Sequence, residues 1–580
     1  MNKRILFIGG ILLALSCSKN GGGEGDPASV DAEDVLLHRY DDYMQAPVVK
    51  NSHAEETGGS CLQPIWSCRT VIPHAILTAA APASVSVEQK TAVYPRIKKV
   101  ADGTYLMFYH GGEFGSRVYL TRSNDLVEWS EPVMLYSPYA VTIDGAEDIR
   151  RFVNMDAVVL ADGEILAVCS YREEKNYAKG IGGGLMLIRS KDNGKTWSQP
   201  RTIYEGTNWE PYLLELPDGR IQCYFTDATP QTRNSGTSVI VSEDKGATWS
   251  EKIRCCRLYK YLYDGDNTEY TGQKIFTDQM PCFRILNDGK TLLGFLEGRL
   301  ETPASIKGSS YCKMSLVWNE GFEWKDLGEE SAGPQKRLSS VVRGAAGYIE
   351  VFPSGEVVLS CGRSSLFSMK IVDSEGGYNS TENWDSRWYT PFEEKGYWGC
   401  MERTSPHTLA AAMHGNSGMQ IGLFWLNHRI DAAKSTVTCD GNPSEWDNED
   451  LLFLSTPDGA EVIIRASRDE QYLYLLSEFV CPSGTDPRLD LKLLKKNGNG
   501  TCSMTLSSSS SAPVSVRRGK TRMQQSGFAA EAAIPLKELG SPVDGDRIPL
   551  FATLSSSGKQ ETFTLSDISK PNTWQTILLR

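Results

Sequence analysis

The chain has 580 residues, enough for two or more domains with a large buried core. Its 40% hydrophobic and 23% charged content is that of a soluble globular protein, which excludes disorder as the default state. The net charge of -12 argues against nucleic acid as a partner, because phosphate binding needs a basic surface, but an anionic sugar can still bind where arginines gather.

At the N-terminus, Lys3 and Arg4 precede the apolar run ILFIGGILLAL, which is too short to span a bilayer comfortably and ends at Ser16-Cys17. This segment resembles a bacterial lipoprotein signal, with Ala14 standing where leucine is usual. The resemblance implies that residues 1–17 are the signal, that Cys17 is the lipidated first residue of the mature chain, and that the protein is held at a membrane of the cell envelope. An ordinary cleaved signal peptide is the alternative. Residues 18–60, opening with SKNGGGEGDPAS, read as a flexible tether. Thirteen cysteines follow Cys17, none in a CxxC pair, so no zinc site is expected, nor any other metal or cofactor. Cys61 and Cys68 are spaced for a small disulfide loop, Cys169 and Cys223 sit in apolar strand-like runs, and most of the set reads as buried thiols.

From residue 94 one pattern recurs: YPRIKKVADGTYLMFYHGG, NMDAVVLADGEILAVCSYRE, EPYLLELPDGRIQCYFTDA, MPCFRILNDGKTLLGFLEGR and GYIEVFPSGEVVLSCGR. Each is an apolar strand, a turn at Gly103, Gly163, Gly219, Gly289 or Gly355, and a second apolar strand, which predicts a β-hairpin. Between these hairpins lie RSKDNGKTWSQP, SEDKGATWSE and a degenerate SNDLVEW, where Ser and Asp side chains can bond turn amides while the Trp packs between strands. These turns are Asp boxes, and residues 94 to 430 resemble the six-bladed propellers of the sialidase superfamily. The fold class expected is all-β, a six-bladed propeller over 61–432 followed by a β-sandwich over 436–580. The sixth blade comes from YWGCMERTSPHTLAAAMHG and GMQIGLFWLNH, closed by an outer strand from residues near 65 to 90.

If the Asp-Gly turns and Asp boxes lie underneath, the upper face gathers Arg96, His110, Glu113, Asp156, Tyr171, Glu210, Asp227, Glu297, Arg299, Arg363 and Tyr397, with Trp209 beside Glu210 as an apolar wall. Glycoside hydrolysis needs two carboxyl groups flanking a bond, and Glu210 and Glu297 are the best-placed pair. The segments around them resemble those of glycoside hydrolase family 93, the exo-arabinanases. That resemblance implies a retaining, exo-acting enzyme using Glu210 and Glu297, with the choice of nucleophile open. The rival is a true sialidase, which grips a substrate carboxylate with three arginines and attacks with a tyrosine. Arg96, Arg299 and Arg363 with Tyr397 would serve, although YPRI only loosely matches the first arginine motif and blade three reaches Thr226 and Asp227 where an arginine is wanted.

After residue 435, TCDGNPSEWDN, DEQYLYLLSEFV and GFAAEAAIPLKEL resemble carbohydrate-binding module family 9, implying a β-sandwich in which TLSSSSSAPVSV forms an exposed hairpin or loop. Trp446 or Tyr472 would stack on sugar, or serve as core aromatics. The expected partners are an oligosaccharide or polysaccharide substrate and a membrane through the lipid, with no nucleic acid. A noncatalytic surface glycan-binding protein would explain the export signal and the appended domain, but would not need Glu210 and Glu297. A protein-interaction propeller would explain the fold alone.

Overall fold

Glycine turns set the framework of the first domain. Gly103, Gly163, Gly219, Gly289 and Gly355 take φ between 70 and 115°, where a side chain is strained, and each lies in the turn joining the first two strands of a blade. The computed structural model describes residues 60–580 apart from 229–235, 258–274, 301–310, 329–335, 374–387, 444–445, 447–449, 483–484, 512, 521–525, 563–568, 570 and 572–573. Cys17 and the expected tether up to residue 59 lie outside the described residues.

Six antiparallel sheets form the blades. Blade one holds Ala92–Lys99, Tyr105–Gly111, Val118–Ser123 and Val133–Tyr136. Blade two holds Ala146–Val159, Ile165–Glu173, Gly183–Ser190 and Arg201–Glu205, with Tyr139–Ile143 added beside its first strand. Blade three holds Asn208–Glu215, Ile221–Asp227, Gly236–Ser242 and Ile253–Cys256; blade four holds Ile275–Ile285, Thr291–Leu300, Tyr311–Glu320 and Lys336–Arg343. Ala345–Val351, Glu356–Arg363 and Leu366–Asp373 make blade five, and Gly396–Arg403, Thr408–Gly415 and Gly418–Asn427 make blade six. The first strands touch one another in a closed ring, so they line the axis. Cys61–Pro73 is the outer strand of blade six, paired from Cys61↔Asn427 to Pro73↔Gly418, which joins the two ends of the propeller chain and leaves that blade no open edge there.

The expected Cys61–Cys68 disulfide is not formed. Four residue steps of regular pairing, from Cys61↔Asn427 to Ile65↔Leu423, separate Cys61 from the bulge that holds Cys68, a span of roughly 15 Å, far beyond disulfide reach.

Each Asp box joins the third and fourth strands of its blade, as its position in the sequence implies. In the second blade the Ser190 hydroxyl donates to Asp192 Oδ1 (2.8 Å) and accepts the Gly194 amide (2.8 Å), while Asp192 takes the Thr196 amide (2.9 Å) and hydroxyl (2.6 Å). Those bonds from Thr196 hold the Asp192 carboxyl well below the usual carboxylate range. The third blade repeats the arrangement through Ser242, Asp244, Gly246 and Thr248. The Trp packs between blades rather than between strands: Trp197 meets Phe108 of blade one edge-on at 5.9 Å, and Trp249 packs on the cluster of Leu166 and Leu187 in blade two.

Below the upper face the axis is filled by charge. Lys98 lies 3.4 Å from Asp156 and 3.5 Å from Glu402, and Arg284 bonds Glu350 through Nε at 3.0 Å and reaches Glu402 at 4.0 Å. These partners sit on five different blades, so the network stitches the ring at its centre.

The second domain has eleven strands, nine on one hydrogen-bonded path and two paired beside it. It is a sandwich whose two layers are joined by Ile430–Lys434, parallel to Gln575–Leu579 at its start and to Glu461–Arg468 at its end. Leu475, Ile464, Leu491, Leu550 and Leu554 from both layers share one core. The serine-rich turn links Thr501–Ser507 to Val514–Lys520, the two ends of that path, giving a barrel-like outline. Trp446 is a core residue, its Nε1 donating to Glu531 (2.7 Å). The closing strand of the propeller also serves this domain: Trp66 N donates to Ser455 Oγ (3.1 Å), and Ser455 Oγ donates to Pro64 O (2.7 Å).

Ser190→Ala leaves the buried Gly194 amide without its acceptor, so it should cost about 1–2 kcal/mol in denaturant unfolding while leaving ligand binding at the upper face unchanged.

Candidate active site

The first strand of every blade takes positive φ near its upper end, at Tyr94 (60°), Asn154 (51°), Glu210 (53°), Met280 (49°), Ala346 (56°) and Trp398 (47°), with Asp278 (50°) a second such residue in blade four. Each marks a β-bulge of the same form, in which the first strand spends one residue more than its partner, as between Val93↔His110 and Arg96↔Phe108 or between Trp209↔Thr226 and Tyr212↔Tyr224. The extra residue turns its side chain toward the axis. Tyr94, Met280 and Ala346 pack together there with Trp398, forming an apolar floor.

The second strand supplies a concentric set opposite the bulges: His110, Ser170, Thr226, Glu297, Gly362 and His414. The polar members whose bonds are defined reach toward the following blade. Ser170 Oγ donates to Asn208 Oδ1 (2.7 Å), Thr226 Oγ accepts the Met280 amide (2.9 Å), and Glu297 Oε2 accepts the Ala346 amide (2.7 Å).

Glu210 and Glu297 therefore stand on neighbouring blades at one mouth. Glu210 Oε2 accepts the Thr226 hydroxyl at 2.7 Å. Burial, with the Glu297 charge second, pushes the Glu210 carboxyl up to about 7. Glu297 is 7% exposed, and its other oxygen accepts the Cys312 thiol at 3.6 Å. Two carboxyl groups so placed, one tending to keep its proton and one bonded to a backbone amide, can divide acid and nucleophile roles.

Residues 73–269 match the BNR repeat-like domain. Among solved structures, the chain is similar to the family 93 α-L-arabinofuranosidase of Fusarium graminearum bound to arabinobiose, at 14% identity and TM-score 0.45 over 61% of this chain and 96% of that one. The α-L-arabinanase of Penicillium chrysogenum with arabinobiose gives 15% identity and TM-score 0.41 over 63% and 97%. The NanB sialidase of Streptococcus pneumoniae gives 11% and 0.40 over 61% and 70%. No curated protein matches.

The other expected site residues divide. His110 is in the mouth, 1% exposed, and burial drops its imidazole to about 3, so it is neutral. Trp209 flanks the mouth under the Arg172 guanidinium, 5.3 Å from its ring centre. Arg96 lies beneath the floor, its guanidinium 3.7 Å over the Tyr94 ring and bonded to Pro95 O (2.7 Å). Tyr397 is half exposed at the rim, sharing a hydrogen bond with Ser365 (3.1 Å), and Arg363 is exposed over Trp388. The side chain of Arg299 lies outside the described residues; its backbone pairs with Cys312, two positions beyond Glu297.

Tyr171 and Asp227 do not reach the mouth, because strand alternation turns them to the other face. Tyr171 is buried beneath the Arg150 guanidinium (3.8 Å), and Asp227 is ion-paired with Lys252 (2.9 Å). The residue that replaces Tyr171 is its neighbour Arg172, whose guanidinium lies between the Tyr177 and Trp209 rings and reaches Asn154 Oδ1 at 3.4 Å. Counting from the turn glycines finds this set: the bulge residues precede Gly103, Gly163, Gly219, Gly289 and Gly355 by nine positions each, and the second-strand residues follow by seven, or eight after Gly289. In one described cleft of the second domain, lined by Tyr472 and Lys537, Arg468 is already bonded to Arg580 O (2.8 Å) and paired with Asp544.

Replacing Glu297 by Gln removes one cause of the raised Glu210 value and leaves burial, so the Glu210 midpoint should fall from about 7 yet stay above 4.5. The pH dependence of the protonated carboxyl infrared band, with Glu210→Gln as the blank, measures it.

Proposed function

We propose that the protein is an exo-acting, retaining glycoside hydrolase that removes α-L-arabinofuranosyl units. The observation that carries this reading is the convergence of Glu210 and Glu297 at one mouth with Glu210 held protonated up to about pH 7. Glu210 then protonates the departing glycosidic oxygen while Glu297 attacks the anomeric carbon, and the glycosyl–Glu297 ester is hydrolysed by a water that Glu210 deprotonates. The Thr226 hydroxyl and the Ala346 amide keep the two carboxyl groups in place between steps.

Exo action is supported by the floor of Tyr94, Met280 and Ala346, which with the buried charges below makes the mouth a blind pocket suited to a chain end. A neutral sugar is supported by the disposition of the arginines. Arg96 is spent beneath Tyr94 and Arg363 stands at the rim over Trp388, so no described trio grips a carboxylate. Tyr397 has Ser365 as its partner, and burial holds the Tyr94 phenol well above its ordinary value, which disfavours either as an attacking phenolate.

Glu210→Gln should lower kcat by about 10²–10⁴-fold on arabinan oligosaccharides and far less on an aryl arabinofuranoside whose leaving group needs no proton. Glu297→Gln should be inactive on both. In the intact enzyme kcat/KM should fall as pH rises above about 7, as Glu210 loses the proton it must deliver.

Tyr397→Phe and Arg363→Lys should each retain most of the activity. An inactive Tyr397→Phe protein, together with turnover of sialosides, would replace this mechanism by the tyrosine one.

A further inference from the structure

Across the mouth from the two carboxyl groups, on blades one and two, lie buried polar atoms without well-formed bonds. Neither ring nitrogen of His110 nor the Nε of Arg172, all buried, makes a hydrogen bond of good geometry. The Gly112 backbone beside the imidazole acts on it as an acceptor, which engages one ring nitrogen and leaves the other for a ligand. Buried polar groups are nearly always satisfied, and leaving one unpaired costs about 1–3 kcal/mol. The Arg172 guanidinium is fixed by Tyr177 and Trp209, at 5.0 and 5.3 Å, and by Asn154. His110 is steadied by the Tyr94 ring at 5.8 Å.

We infer that His110 and Arg172 form the subsite that recognises two adjacent hydroxyl groups of the sugar bound between Glu210 and Glu297. The inference rests on the glycosidase reading for its ligand, but not for its geometry. A neutral imidazole offers one donor and one acceptor, and a hydroxyl can meet either. A carboxylate can only accept, so it would leave the imidazole acceptor facing like charge. Arg172 adds donors that a second hydroxyl oxygen can take, and its charge, near Glu210, counters the two carboxyl groups opposite. Strand order makes the pair possible: His110 ends the second strand of blade one on the face toward blade two, and Arg172 ends the second strand of blade two.

The test is calorimetric titration of methyl α-L-arabinofuranoside into the full-length Glu297→Gln protein, and into the same protein carrying His110→Phe or Arg172→Met. N-acetylneuraminic acid is the anionic comparator. The neutral glycoside should bind, and each second substitution should weaken it about tenfold or more, the worth of a hydrogen bond to a buried polar group. Because His110 has only the Gly112 backbone as a hydrogen-bonding neighbour and no well-formed bond, His110→Phe should leave the thermal midpoint nearly unchanged or raise it. Affinity within about twofold of the parent in both variants, or binding of neither sugar, would overturn the inference. So would a lowered midpoint for His110→Phe, which would mean that its nitrogens serve the fold. Arg172-dependent binding of N-acetylneuraminic acid in place of the neutral glycoside would overturn the hydroxyl assignment. If this binding pattern holds while the native enzyme hydrolyses no glycoside, the catalytic reading fails and the subsite stands; hydrolysis with binding indifferent to both residues gives the reverse.

Discussion

Six first strands approach one axis, and each takes at least one residue more than its partner strand, two in blade four, before it enters the ring. An extra residue breaks the pleat, demands positive φ and re-aims one side chain toward the centre. Non-glycine residues pay strain for that conformation, of order 1–3 kcal/mol each, and here all six positions carry side chains. Three of them are followed by Pro and two by Gly, which bends the chain at the required point. The mouth follows from this repeated defect: without the bulge at Glu210 the strand would keep its pairing register and the carboxyl would lie along a blade face. The same bulges present the Met280 and Ala346 amides that hold Thr226 and Glu297, so the device that aims one carboxyl also supplies the donor for the other.

Strain at one end of a strand needs restraint elsewhere. The Asp boxes provide it at the opposite face, where Ser and Asp side chains satisfy turn amides and Trp197 and Trp249 lock each blade to the one before. The pairing of Cys61–Pro73 with Gly418–Asn427 closes the ring, and Ser455 and Phe453 of the second domain grip the two strands that make it: Ser455 bonds Pro64 and the Trp66 amide, and Phe453 bonds Asn427. A site whose groups come from different blades depends on such remote contacts, because displacement of one blade would separate Glu210 from Glu297.

Much of this was legible in the sequence because it is encoded locally. A turn glycine, a Ser-x-Asp box and an apolar run each carry their reason within about ten residues, and they predict the blades and which strand ends, those of Glu210 and Glu297 among them, share one face. What failed was parity. Tyr171 and Asp227 are site-like residue types near a strand end, yet the face each presents depends on which neighbouring blade it borders, a relation between segments distant in sequence. Arg172 is hidden for the same reason, although it shares the parity of Ser170, seven positions after Gly163. The bulges were legible too, as a residue nine positions before each turn glycine, but a one-residue insertion leaves no mark in an apolar pattern. Cys61 and Cys68 misled because spacing alone says nothing about whether the intervening chain is folded back or extended.

The two carboxyl groups differ because the scaffold gives them different surroundings. Glu210 rises from a first strand beside the axis, where Tyr94, Met280 and Ala346 exclude water, and burial is the first cause of its raised value. Glu297 comes from a second strand, farther from the axis, and meets a backbone amide and a thiol. Arg172 sits across from both and is one of the influences that lower the Glu210 value. Were that guanidinium neutralised by an anionic ligand, Glu210 would lose a counter-charge and hold its proton more tightly. A ligand that meets Arg172 with hydroxyls leaves the charge in place, so Glu210 keeps the counter-charge that lets it give up a proton, as the proposed acid and base role requires.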